Sequence, residues 1–194
     1  MSGNHLSWIL IPSLLIGCGR VDIDPRLPVR FQLATDLKEI SSSEANQILT
    51  RLPMQMGLYY NSSATQVIKI VSDVSRRECN GTYAITSRSY ENDQIRLCSL
   101  YFDSSRTFDQ RRRLYFFALV VMHESIHSFN GGHNTCDGYN LMCPETYNGP
   151  VKADSYQKLD WRLLEYTIAD KELICEATSH RWVFCTDSSG MLGL

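Results

Sequence analysis

The chain has 194 residues, 43% of them hydrophobic, and a formal net charge of −2. That length suits one ordinary domain with its own core, and the near-neutral balance excludes the strongly basic footprint of a nucleic-acid binder. There is no internal repeat and no low-complexity linker, which excludes repeat arrays.

Residues 6–17 read LSWILIPSLLIG. This apolar stretch is too short to span a membrane comfortably and has the length of a signal-peptide core. It ends in Leu15-Ile16-Gly17-Cys18, which resembles a bacterial lipobox, although the preceding segment carries only His5 and the amino terminus in place of Lys or Arg. The resemblance implies that residues 1–17 are a signal peptide and that Cys18 is lipidated. Residues 18–28, with Pro25 and Pro28, would then be a tether, and 29–194 the functional domain. Gly19 does not resemble an inner-membrane retention signal. The expected location is therefore the bacterial cell envelope, on the outer membrane, with the membrane as a partner through the lipid. With Cys18 set aside, Cys79, Cys98, Cys136, Cys143, Cys175 and Cys185 remain, an even set in an exported chain. That favours disulfides, with neighbour pairing 79–98, 136–143 and 175–185 the simplest of several connectivities. A free thiolate at Cys136 or Cys143, silencing a metal, is the competing reading.

In chain order, Val29–Ala34 alternates like a first strand. Ser41–Tyr60 opens on a serine cluster and reads as an amphipathic helix, with Ile48, Leu52 and Met56 at helical spacing and Pro53 as a kink or early end. Gln66–Val71 is β-branched and reads as a strand. Tyr83–Ser89 and Ile95–Phe102 flank the polar turn Glu91-Asn92-Asp93, as in a hairpin. Thr107 and Gln110 have the spacing of a capping box. They open a helix whose basic run, Arg111–Arg113, is a solvated start and whose stretch from Leu114 to Met122 carries no charge. A helix this apolar belongs in the core, beneath a sheet. Ala153–Asp170 reads as a C-terminal helix with Leu159, Leu163 and Tyr166 on one face. A cysteine-closed tail at 175–185 follows.

That central helix ends in HESIHSFNGGH, from His123 to His133. His123 and His127 are four apart, so a helix stacks them on one face, where both can reach one metal ion about 2 Å away. Glu124 points to a neighbouring sector and can serve a water as general base. His133 lies too far along to share that face. The helix must stop and the chain turn back, a task suited to Asn130-Gly131-Gly132 because Asn and Gly tolerate left-handed backbone angles. Three nitrogens leave one position open, the layout of a catalytic rather than a structural zinc site. Met142 follows in the string NLMCP.

HESIHSFNGGH with Met142 downstream resembles the metzincin metallopeptidases, and Met142-Cys143-Pro144 is most similar to the matrixin branch. The resemblance implies Zn²⁺ as cofactor, His123, His127 and His133 as ligands, Glu124 as catalytic base and Met142 as the Met-turn residue. It also implies an α+β zincin fold, with a twisted mixed sheet bearing an antiparallel edge strand over two long helices, and a small C-terminal part with a third helix. Asn130 departs from the family's glycine, and Asn134 from the usual residue after the third ligand. The edge strand would fall at Tyr83–Ser89, so Tyr83, Ala84 and Ile85 become candidate substrate contacts by strand addition. Pro144 and Tyr147 become candidate pocket walls. The implied activity is zinc-dependent endopeptidase action on extended protein or peptide substrates, by a monomer. No carboxylate-rich loop of the kind that holds structural calcium is evident. Two rivals stand beside this reading. In a gluzincin the third ligand is a later glutamate, for which Glu165 could be offered. In a surface-anchored binding or adhesion lipoprotein, zinc would only hold the fold.

Overall fold

In the computed structural model, the residues described are 23, 27–72, 79, 81–88, 93–129, 131–133, 141–142, 160–177 and 185. Strand β1, Val29–Leu33, buries Val29 and Phe31 on one face, and β2, Gln66–Ser72, buries Val67, Ile68 and Ile70. Helix α1, Ser42–Gln55, connects them, so the two strands run parallel, with Val29 opposite Gln66. Strand β4, Asp93–Leu97, adds parallel to β2. Strand β3, Ala84–Arg88, pairs antiparallel with β4, giving the order β1-β2-β4-β3. The fold is thus α+β, with a mixed sheet whose antiparallel strand β3 is at one edge. At the other edge, Tyr60 bridges Val29 and the Val29 N–H donates to the Tyr59 carbonyl at 2.8 Å, covering the start of β1.

Two helices lie side by side against this sheet. Ser41 and Glu44 form a reciprocal capping box at the start of α1. The helix then stops at Gln55, short of the expected Tyr60. Gly57, at φ 73°, lets its N–H reach Met54 and the Leu58 N–H reach Pro53, a Schellman ending. Pro53 sits inside the last turn. Helix α3, Gln110–Ser128, packs on β3, β4 and α1. Every residue from Tyr115 to Ile126 is buried, as the charge-free stretch predicts.

Three expectations need correction. The strand expected over Ile95–Phe102 ends at Leu97, and Ser99–Arg106 forms a helix, α2. Tyr101, Phe102 and Ser105 are buried at helical spacing, and Tyr101 stacks on Phe116 at 5.1 Å. Thr107 therefore closes α2 rather than opening α3, whose N-cap is Asp109, accepting from the Arg112 N–H. The third correction is at the C-terminus. Residues 160–167 are not part of a long helix: Trp161–Leu163 make one 3-10 turn, 164–167 belong to no regular element, and helix α4 spans Ile168–Ala177. Leu163 is 74% exposed, while Tyr166 is buried with its hydroxyl donating to the Met122 carbonyl. Leu159 lies outside the described residues.

Cys79 is bonded to Cys98, which staples the chain ahead of β3 to the start of α2, and Cys175 is bonded to Cys185. Cys136, Cys143 and Cys18 lie outside the described residues, as does the rest of the N-terminal signal and tether apart from Ile23, Leu27 and Pro28. Among the described residues, no helix is long and apolar enough to cross a membrane.

Candidate metal centre

Helix α3 sets the His123 and His127 rings one above the other, with centroids 5.1 Å apart. The helix ends where the Gly131 N–H donates to the Ile126 carbonyl at 2.9 Å. The chain then brings the His133 ring to 4.8 Å from His127 and 5.3 Å from His123. One nitrogen from each of the three lies within 4.8 Å of the others, close enough to hold a metal ion. For His123 and His127 the other ring nitrogen is held by the backbone. His123 Nδ1 is 2.5 Å from the Leu141 carbonyl, and His127 Nδ1 is 2.8 Å from the Gly131 carbonyl. A carbonyl oxygen can only accept, so each Nδ1 carries the proton and each Nε2 keeps a lone pair for a metal. Burial pushes the His123 imidazole down to about 3, against the pull of its Leu141 bond, and also lowers His133, where the neighbouring His127 adds to the effect. Neutral imidazoles at neutral pH are what metal ligation needs, so the donor set fits a zinc-like ion.

Glu124 is buried beside this cluster. Its Oε2 is 2.9 Å from the Thr86 hydroxyl, which also lies 2.8 Å from the Glu124 backbone carbonyl. Burial raises the Glu124 carboxyl to about 7, and the bonds from Thr86 oppose that rise. A cleft of about 730 Å³ opens over these groups. Tyr83, Ala84, Ile85 and Thr86 form one wall, Gly81, Thr82 and Leu100 extend it, and Glu124 and the three histidines line the rest.

No family model, curated protein or solved structure matches this chain. Met142 is fully buried, next to the Leu141 carbonyl that orients His123. Asp170, which no motif pointed to, is the buried group that holds this turn. Its carboxylate accepts from the Leu141 and Met142 N–H groups, both at 3.1 Å. It also accepts from the Thr167 N–H at 3.0 Å and the Thr167 hydroxyl at 2.7 Å, while its own N–H donates to that hydroxyl oxygen at 3.2 Å. Thr167-x-x-Asp170 is thus a capping box for α4. Glu165 is exposed and lines a separate hollow with Tyr115 and Asp160, so it is not among the clustered ligands. Pro144 and Tyr147 lie outside the described residues.

The glycines act differently from expectation. Among the described residues, positive φ occurs at Gly57 and Gly81, not at Gly131 or Gly132. Gly131 is required for close approach: a Cβ there would lie 2.3 Å from Ile126 Cγ2 and 3.0 Å from its carbonyl oxygen. At Gly132 a Cβ would meet nothing within 4 Å. Gly131→Ala is therefore expected to cost about 1–3 kcal/mol by overpacking. It should also weaken metal binding at the three histidines, because its carbonyl orients His127. Gly132→Ala should do neither. Urea denaturation and zinc titration of both variants check this, and equal effects at the two positions would contradict it.

Proposed function

We propose that the chain is a zinc-dependent endopeptidase of the metzincin type, closest to the matrixin branch at its Met-turn. The observation that carries this reading is the buried carboxylate of Glu124 in the same cleft as three histidines that each bring one ring nitrogen within 4.8 Å of the others. A structural zinc site has no use for such a carboxylate. A bound zinc ion would supply a Lewis acid and lower the pKa of a water in the fourth position. Glu124 would take that water's proton and return it to the leaving amine.

The substrate would be an extended peptide lying along β3. Among the described residues no strand covers the outer edge of β3, and the strand forms one wall of the cleft. Tyr83, Ala84 and Ile85 would flank the peptide, and Met142 would support the ligands from below. We also infer export as a monomeric lipoprotein anchored through Cys18 to the outer membrane.

The test uses a soluble form starting at Gly19, loaded with zinc and offered a quenched peptide library. One zinc per chain, with cleavage abolished by a chelator and restored by zinc, is the expected result. One zinc per chain with no cleavage of any sequence would sink the peptidase reading and leave a surface-anchored binding lipoprotein.

A further inference from the structure

We infer that Thr86 is a positioning residue that links substrate pairing on β3 to the aim of Glu124; this inference rests on the peptidase reading. The link comes from two ends of one residue. The Cys98 N–H donates to the Tyr83 carbonyl at 2.9 Å, which makes Tyr83 and Cys98 a hydrogen-bonded pair. Antiparallel pairs alternate. In the β3–β4 register, Ile85–Arg96 is then bonded, whereas Ala84–Leu97 and Thr86–Ile95 are not. The backbone N–H and C=O groups of Ala84 and Thr86 accordingly face the open edge, where an added peptide strand would take them up. The Thr86 side chain turns inward and meets Glu124 at 2.9 Å.

Among the described residues, no other side chain hydrogen-bonds the Glu124 carboxylate. The contact suits both forms of a general base. The hydroxyl has one proton and two oxygens within reach, Glu124 Oε2 and the Glu124 carbonyl oxygen. When the carboxylate is ionised, Thr86 donates to Oε2. When the carboxyl holds the water's proton, it can donate to Thr86 Oγ1, and Thr86 then donates to the Glu124 carbonyl. No proton is gained or lost by Thr86 in either state. Threonine is stiff about χ1, so its hydroxyl follows its backbone. A peptide that fixes the β3 backbone also fixes the group that aims the base.

The test compares the zinc-loaded parent with Thr86→Val and Thr86→Ser, by steady-state cleavage of a quenched peptide and by crystal structures. Valine keeps the shape and strand preference but removes the hydroxyl. The expected result is a kcat about 10- to 100-fold lower for Thr86→Val, with KM and zinc content unchanged and the Glu124 carboxylate turned from its parental position. Thr86→Ser should restore kcat and the carboxylate position. Should the valine variant not fold, Thr86→Ala replaces it with the same expectations. An undiminished kcat in the hydroxyl-less variant overturns the inference, as does a carboxylate in the same place with and without the hydroxyl. A parent that cleaves no peptide removes the peptidase reading instead, and the crystallographic comparison still decides whether Thr86 holds Glu124.

Discussion

Glu124→Gln is expected to retain one zinc per chain and to lose turnover by about three orders of magnitude, within the range that general-base groups contribute. Glutamine keeps the shape of the side chain and can still accept from the Thr86 hydroxyl through its amide oxygen. What it lacks is a site for the water's proton. The measurements are zinc content by atomic absorption and kcat on a quenched peptide. Undiminished kcat at full zinc content would falsify the assignment of Glu124 as base.

The same variant carries a stability prediction of definite sign. Burial holds the Glu124 carboxyl at about 7 in the folded chain, above the ordinary value of 4.5. Its favourable contribution is thus fully present below pH 4.5 and lost as pH rises through 7. In the metal-free protein at pH 8, Glu124→Gln should therefore be stabilising, by at most about 3 kcal/mol. At pH 4 the gain should vanish. Denaturant titrations of parent and variant, both treated with chelator, measure the difference directly. A gain that grew toward acid pH would have the wrong sign.

Asp170→Ala should be the most damaging substitution outside the ligands. It leaves the buried Leu141 and Met142 N–H groups, and the part-buried Thr167 N–H, without their acceptor. Stranding buried donors costs about 1–3 kcal/mol each, softened by relaxation, so a loss of roughly 3 kcal/mol or more is expected. Zinc affinity should fall about 10- to 100-fold, because the Leu141 carbonyl that orients His123 loses its support. Glu172→Ala, at an exposed position on the same helix, is the control. If Asp170→Ala unfolds more easily but binds zinc as tightly as the control, the path from Asp170 through Leu141 to His123 does not orient the ligand.

Much of this arrangement is legible before folding is considered. Alternation places β1, and β-branched composition β2, to within a residue of their observed ends, and the charge-free run from Leu114 to Met122 identifies the helix at the centre of the core. The histidine spacing identifies the cluster because a helix repeats its face every four residues and the glycines afford a return. What stayed hidden depends on partners distant in sequence. Tyr101 and Phe102 read as the end of a strand until Phe116 stacks on Tyr101 and makes them a helix. Leu159, Leu163 and Tyr166 imitate a helical stripe, and that pattern obscured the Thr167-x-x-Asp170 start of α4. Nothing in its local sequence distinguishes Thr86, and only its register opposite Ile95 on β4 turns it toward Glu124. Gly131 has the look of a turn residue in the sequence, but its role in the fold is to keep clear of Ile126.

The hold of Asp170 on the turn at Leu141 and Met142 also sets an order in time. A chain growing from its N-terminus delivers His123, His127 and His133 well before Asp170. Until α4 is made and docked, the Leu141 carbonyl has no anchor and His123 no fixed tautomer. The ligand set is then complete in composition but not in geometry. A metal ion would then meet a finished ligand set only once α4 is docked, and a chain ending before α4 would carry all three histidines without a finished centre.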